Sequence, residues 1–369
     1  MGIIVDITFD KPDPDIAEVT IIGTGGYGES CVIHMGNGEW AVVDSCFDPS
    51  YENCLPLLYL KEIGVDIKSE VKLIVCTHWH DDHIKGISQL YLNAEASEFC
   101  FSSVVDLKKF LQLVKLDYTK YNGQKISNSS TVEFNKCLEI LEQRTVPPKK
   151  ASKNNVLYTA RTQLSQIISL SPSDRSQLDF DHDISTLING FGENKRIIIN
   201  EPNSTSVVLF LKLGQHRAIL GADLEVSGDN QTGWLDILDN HQNILDKKSS
   251  LLKISHHGSE NGYHNRIWLE LLIPNAIGQL TPYNKGYKLP KESIIRKYLS
   301  HTPDLYITSN VTLHDKPKTR DKQTEKMIRA FNTTVRESKF YLGIVRSRIP
   351  LNDVNANWST ELFGKALKL

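Results

Sequence analysis

Apolar residues along the chain fall into short strand-like runs separated by stretches with helical spacing, which predicts a layered α/β fold. Ala17-Glu18-Val19-Thr20-Ile21-Ile22 reads as a strand, and so does Cys31-Val32-Ile33-His34-Met35. Between them, Gly23-Thr24-Gly25-Gly26-Tyr27-Gly28 leads from strand to strand. A nucleotide-binding glycine loop would open a helix, so this cluster is a hairpin or loop. After the turn signal Gly36-Asn37-Gly38, Trp40-Ala41-Val42-Val43-Asp44-Ser45 is a strand that ends on an acid. Residues 51–63 carry helical spacing, and Val71-Lys72-Leu73-Ile74-Val75-Cys76 is β-branched and apolar, as a buried strand is. Helical spacing returns over 84–90. Strand, helix, strand, loop, helix is the order of one half of an αββα sandwich.

From 94 to 197 the texture changes. Residues 104–114 and 133–141 read as helices, 122–130 as polar loop, and 147–155 as a loop rich in breakers, Lys and Asn. Residues 94–163 are therefore expected to form a helical insertion, either a cap over a site or peripheral packing. His182, between Asp181 and Asp183, is expected to be solvated in a polar loop. Strands are expected over 166–170, 207–211 and 217–222. Arg217-Ala218-Ile219-Leu220-Gly221-Ala222-Asp223 and Leu251-Leu252-Lys253-Ile254-Ser255-His256-His257 each deliver a potential metal ligand at the carboxyl end of an apolar run. Residues 311–320 read as a basic loop and 324–331 as a short helix. Phe340-Tyr341-Leu342-Gly343-Ile344-Val345-Arg346 reads as a late strand, expected to join the second sheet. A single domain over 1–369 accommodates all of this.

Composition narrows the class. The 40% apolar and 23% charged residues match a soluble globular protein. No apolar run approaches the roughly 18 residues of a membrane span. Met1-Gly2-Ile3-Ile4-Val5-Asp6 lacks the basic head and apolar stretch of a secretory signal. Six cysteines are scattered without the spacing of a disulfide framework or zinc finger, so the expected compartment is the cytoplasm. Residues 285–369 hold 17 Lys and Arg against 8 Asp and Glu, a balance of +9, which leaves −11 on the rest of the chain. That basic third is either a cationic surface for a phosphate-bearing substrate or an ordinary solvated face.

The chemistry concentrates in Thr77-His78-Trp79-His80-Asp81-Asp82-His83, placed between a strand and a helix. Buried unpaired polar groups are costly, so this density of imidazole and carboxylate is not packing; it suits zinc or a harder ion such as manganese. The spacing His-x-His-x-Asp-His, met by His78, His80, Asp82 and His83, resembles the signature of the metallo-β-lactamase superfamily. The glycine-rich opening, the hairpin and Asp44 resemble the start of that fold, where the acid supports the metal loop. By itself Asp44 equally well ends a strand or caps the next helix.

Further along, Leu170-Ser171-Pro172-Ser173, Asn203-Ser204-Thr205-Ser206-Val207, Gly221-Ala222-Asp223-Leu224 and Leu252-Lys253-Ile254-Ser255-His256-His257-Gly258-Ser259 follow one another. That order is similar to the metallo-β-lactamase domain of the ComEC competence proteins, which act in DNA uptake, and to its soluble relatives. More faintly, Asn275-Ala276-Ile277-Gly278, Leu289-Pro290-Lys291-Glu292 and Tyr306-Ile307-Thr308-Ser309 look like the closing elements. The likeness covers roughly 17–93 and 164–310.

The resemblance implies a four-layer αββα metallo-β-lactamase sandwich and two divalent metal ions, Zn or Mn. It implies His78, His80 and Asp223 for the first ion, and Asp82, His83, Asp223 and His257 for the second, with His256 as the alternative to His257. Most members place a further His just before the strand that begins at Val207, where this chain has Asn203-Ser204. The first site is therefore expected to be weaker and to favour manganese. Such a centre activates water for hydrolysis, with Asp82 and Asp223 as the catalytic carboxylates. Ser259 and Asn203 either donate to substrate or cap local backbone, and Lys253 either contacts phosphate or buries its stem. Three functions remain open: a phosphodiesterase or nuclease acting on DNA, RNA or nucleotides; a hydrolase of a small ester, lactone or thioester; and a non-catalytic partner protein. No membrane partner is expected.

Overall fold

Within β4 (Val71–Cys76), Leu73 and Val75 face one way and Ile74 and Cys76 the other, and the two sets enter different apolar layers. The inner pair meets Leu209, Leu211 and Leu251 of a second sheet. The outer pair meets Leu57 and Leu60 of the helix Leu55–Glu62, Leu90 of Ile87–Asn93 and Phe134 of Ser130–Arg144. On the far side, Phe210, Ile219 and Leu252 of the second sheet pack on Trp234 and Ile237 of Gly233–Asn240 and on Ile294 and Tyr298 of Glu292–Leu299. Strands buried on both faces read as continuous apolar runs, as these do. Helix, sheet, sheet, helix is the four-layer αββα sandwich expected from the sequence.

The computed structural model describes residues 10–48, 52–104, 130–189, 202–241, 244–285, 287–310, 323, 327 and 341–369. The expectations for 105–114, 122–129, 311–320 and nearly all of 324–331 lie outside the described residues. The first sheet runs in the order β15 (Ser359–Gly364), β14 (Leu342–Pro350), β1 (Ile16–Thr24), β2 (Glu29–His34), β3 (Trp40–Val43), β4, β5 (Glu98–Ser102), β6 (Lys149–Ala151). The second runs β16 (Leu367–Lys368), β13 (Leu305–Ile307), β12 (Leu272–Leu280), β11 (Ser249–Lys253), β10 (His216–Leu220), β9 (Leu209–Leu213), β8 (Ser165–Ser169), β7 (Asn155–Thr159). Strands β3 to β6 are parallel, and so are β10 to β13. Their carboxyl ends carry Asp44, His78, Asp223, His257 and Thr281, so one rim of the sandwich collects the chemistry.

Four expectations need correction. The late strand β14 joins the first sheet, not the second, pairing antiparallel with β1 over nine residues from Ile16↔Pro350 to Thr24↔Leu342. Side chains fix that choice: Arg348 Nε donates to Glu18 Oε2 on β1 at 2.7 Å, a charge-assisted bond. Residues 94–163 are not a purely helical insertion, since they supply β5, β6 and β7 as well as the helix Ser130–Arg144. The expected loop around Lys149 is an edge strand, with Ala151 in the inter-sheet core and Lys149 paired to Glu98 at 2.7 Å. His182 lies on the helix Asp174–Asn189, not in a loop; it is exposed, as expected. Ser173 Oγ starts that helix by accepting from Ser176 N at 3.1 Å, and Phe180 anchors it against Trp79. No helix among the described residues is long and apolar enough to cross a membrane.

Candidate metal centre

The His78–His83 stretch leaves β4 at Cys76 and is pinned before it can stray. Asp44 N donates to Val75 O at 2.8 Å and Ser45 N to His83 O at 2.7 Å, tying the end of β3 to both ends of the loop. The Asp44 carboxylate accepts from Thr77 N at 2.8 Å, from Thr77 Oγ1 at 2.7 Å and from His83 Nδ1 at 2.8 Å. Asp44 adopts φ 59°, a left-handed conformation that Asp tolerates better than most residues. Between the histidines, Trp79 is buried with its ring 5.3 Å from that of Phe180, so the polar side chains on either side turn inward.

Three segments, those that follow β4, β10 and β11, bring these side chains to one point. Asp223 Oδ2, just beyond β10, lies 3.8 Å from His78 Nε2, 3.3 Å from His83 Nε2 and 3.5 Å from His257 Nε2. His78 Nε2 is 3.1 Å from His80 Nδ1, and His257 Nε2 is 3.3 Å from Asp82 Oδ2. The six side chains named from the sequence as ligands are therefore neighbours, with one oxygen of Asp223 in the middle.

The set fits a divalent cation. Two donors bound about 2.1 Å from one tetrahedral ion lie ~3.4 Å apart, the spacing found around Asp223 Oδ2. Among the described residues, His83 Nε2, His257 Nε2 and Asp223 Oδ1 are buried without a hydrogen-bond partner. Buried polar atoms are rarely left so, and here the orphans belong to candidate ligands. Burial, with His83 and His80 adding to it, holds His78 well below the usual imidazole range, so it is the neutral donor that a metal requires. Burial would raise Asp82 and Asp223, but imidazoles around both, and Lys285 beside Asp82, hold them well below the carboxylate range. Burial opposes a proton on His83, yet Asp223, Glu29 and Asp44 together raise it well above its usual value. That concentrated negative field is one a cation would satisfy.

A supporting layer lies beneath. His78 Nδ1 is 2.9 Å from Thr77 Oγ1, and His257 Nδ1 is 3.2 Å from Thr281 Oγ1. Glu29 sits between the Nδ1 atoms of His83 and His257, at 3.6 and 3.5 Å, and bonds the Thr281 hydroxyl and the Lys253 ammonium. Glu29 was not singled out from the sequence. Its signal was position, since Glu29, Cys31 and Ile33 alternate toward the inter-sheet core. Lys285 was also missed: its Nζ donates to Asp82 Oδ1 at 3.2 Å, opposite the oxygen that faces His257.

The remaining named residues sit further out. His256 points its Nδ1 at Glu225 Oε1, 3.1 Å, and Asn261 Oδ1, 3.0 Å, while Asn203 Nδ2 approaches its Nε2 at 3.2 Å. Its ring is thus engaged outside the cluster formed by His257. Asn203 Nδ2 also donates to Glu225 at 2.9 Å, and Asn203 Oδ1 is buried with no partner among the described residues. Ser259 Oγ accepts from Gly262 N at 3.2 Å, the local cap. Lys253 is 1% exposed against Glu29, which places its charge in the supporting layer and not at a substrate.

An αββα sandwich with imidazoles and carboxylates gathered at one rim defines a metallohydrolase-type centre. The family model described as the metallo-beta-lactamase superfamily matches residues 23–106, the stretch that holds Glu29, Asp44 and the His78–His83 motif. Among solved structures, the hydrolase AbOPH of the beta lactamase superfamily is 13% identical, with a TM-score of 0.35 over 58% of this chain and 73% of that one. A metallo beta lactamase from Hirschia baltica is 11% identical, TM-score 0.31, over 66% and 87% of the two chains. One from Pontibacter korlensis is 13% identical, TM-score 0.31, over 64% and 85%. No curated protein matches the chain.

Proposed function

We propose that the protein is a metal-dependent phosphodiesterase, a nuclease acting on nucleic acid or nucleotides. The observation that carries the hydrolytic reading is Asp223 Oδ2, within 3.8 Å of three imidazole Nε2 atoms that come from two different sheets. His78, His80 and Asp223 would hold one divalent ion, and Asp82, His83, Asp223 and His257 a second, zinc or manganese. Such ions supply Lewis acidity and a water acidic enough to act at neutral pH.

The protein's own groups set the rest. Asp44 and Thr77 fix the rings of His83 and His78 so that their Nε2 atoms face the centre. Asp82 turns one oxygen inward and gives the other to Lys285. The Lys285 side chain is 29% exposed and belongs to a loop, so its ammonium can reach an anionic phosphoryl oxygen while remaining next to Asp82. Lys291 adds a second cation at the edge of the adjoining cleft. Those cations, together with the ComEC-like motif order, favour a phosphodiester over a neutral ester. Much of the remaining basic charge in the described C-terminal part is already paired: Arg296 to Glu292, Arg346 to Asp10 and Glu361, Arg348 to Glu18 and Lys368 to Asp304. Lys285 and Lys291 therefore carry the argument, and the overall charge balance does not.

The test is hydrolysis of bis(p-nitrophenyl) phosphate and of linear and circular DNA by zinc- or manganese-loaded protein, beside p-nitrophenyl acetate and a simple lactone. Phosphodiester turnover lost in the Asp82→Ala, His83→Ala double variant, with its fold kept, is the expected result. Turnover of the carboxylic esters alone would move the substrate to a small ester, lactone or thioester. Turnover of neither class would leave a non-catalytic metal-binding module.

A further inference from the structure

Beside the metal centre lies a cleft of about 280 Å³ that begins at His256, the neighbour of the candidate ligand His257. Its lining includes the apolar Leu289 and Ile294, the polar Glu260 and Asn261, and Tyr287 and Lys291. A row of rings leads to it from the centre. The Tyr283 ring lies 5.3 Å from that of His257, and the Tyr287 ring 5.2 Å from that of Tyr283. Tyr287 is 58% exposed, so part of its ring is open to a ligand. Between the two tyrosines, Lys285 reaches Asp82. Aromatic faces interleaved with cations are how proteins hold single-stranded nucleotides, because every base offers a π-face and every linkage a negative charge.

We propose that this cleft seats one nucleoside of a phosphodiester substrate, stacked on Tyr287, while Lys285 takes an oxygen of the scissile phosphate. The proposal rests on the phosphodiesterase reading and adds the substrate class. Size argues for a single unit: about 280 Å³ is at the small end of ligand pockets and cannot admit a duplex. The chemistry of the lining agrees. A second phosphate would be repelled by Glu260, whereas base N–H groups and sugar hydroxyls are donors that its carboxylate can accept. Leu289 and Ile294 offer the base an apolar surface. The tyrosine hydroxyls are incidental to stacking, so a phenylalanine should serve in place of Tyr287.

Two esters that share a leaving group separate this seat from the chemistry: the p-nitrophenyl phosphodiester of thymidine and that of methanol. Metal-loaded wild type should turn over the thymidine ester with the higher kcat/KM. In Tyr287→Ala the ratio of the two kcat/KM values should fall about tenfold, through KM, as loss of one base–aromatic stack predicts, and Tyr287→Phe should restore it. A ratio unchanged in Tyr287→Ala would overturn the nucleoside seat while leaving phosphodiester hydrolysis intact. Hydrolysis of neither ester would instead overturn the phosphodiesterase reading. The cleft is then judged by calorimetry with thymidine monophosphate, where equal binding to wild type and Tyr287→Ala would overturn it.

Discussion

Glu29 and Lys253 come from opposite sheets, β2 and β11, and their charges meet in the interior directly under the candidate metal centre. Both are about 3% exposed or less, and Glu29 in turn faces His83 and His257. Burial would raise the Glu29 carboxyl, but Lys253, His83 and His257 hold it below its usual value. Burial would likewise lower Lys253, and Glu29 and Asp223 raise it instead. Each charge is therefore tolerated because of the other. Glu29→Gln should cost about 3–5 kcal/mol in denaturant unfolding, since it strands a buried ammonium. The double variant Glu29→Gln, Lys253→Met should lose less than the sum of the single changes. Strict additivity would show that the pair does not act as a unit.

Asp44 makes a different prediction, because its three hydrogen bonds all go to the ligand loop. Asp44→Asn keeps the left-handed backbone within reach but turns an amide N–H toward either Thr77 or His83. Metal affinity should fall about 10–100-fold, read by competition with a chromophoric chelator, while far-UV circular dichroism stays native. An unchanged affinity would mean that His83 needs no support from Asp44.

His34 should make the fold sensitive to acid away from the centre. Its Nδ1 donates to Ile16 O at 2.7 Å and its Nε2 accepts from Gly38 N at 3.1 Å, so the ring is neutral and has no place for a second proton. Burial depresses it from 6.5 to about 4, against the partial help of the Ile16 bond. Between those values the unfolded chain binds a proton that the folded chain refuses, so stability rises with pH there. This contribution is intact above pH 6.5 and is lost as pH falls toward 4, by up to about 3 kcal/mol. The urea midpoint of wild type should drop more steeply from pH 7 to 5 than that of His34→Gln. Parallel pH profiles would contradict this.

Two glycines separate conformational strain from steric contact. Both have positive φ, but a Cβ on Gly26 would lie 2.5 Å from Asn284 N, whereas one on Gly64 would meet nothing within 4 Å. Gly26 O also accepts from Asn284 N at 3.0 Å, which holds the loop bearing Tyr283 and Lys285 to the glycine-rich hairpin. Gly64→Ala should cost roughly 1 kcal/mol of backbone strain, and Gly26→Ala should cost more and also weaken phosphodiester turnover. Equal losses of stability and activity would show that close approach is not what Gly26 provides.

The centre was legible in the sequence to the extent that each segment that builds it follows an apolar strand. Asp44, His78, Asp223 and His257 follow runs whose pattern announces them, and the structure brings them to one rim. Glu29 was hard to read, because it falls at the edge of the glycine-rich stretch, before the strand pattern that begins at Cys31, and the Lys253 that balances its charge comes from the opposite sheet. Lys285 was hidden for a similar reason: its partner Asp82 is about two hundred residues away, and no local period links them. The assignment of β14 failed because a strand pattern does not name its neighbour; the Arg348–Glu18 pair does. Strands as short as β6, with only three residues, fall below any period that the sequence can display.

Metal stoichiometry tests the central claim most directly. Wild type and Asp223→Ala should be dialysed against excess zinc or manganese, freed of loose ions, and assayed for metal per folded chain. Because one Asp223 oxygen faces the histidines of both proposed sites, wild type should retain close to two ions and the variant should lose tight binding of both. A variant that keeps its metal, or a wild type that never binds any, would contradict the account.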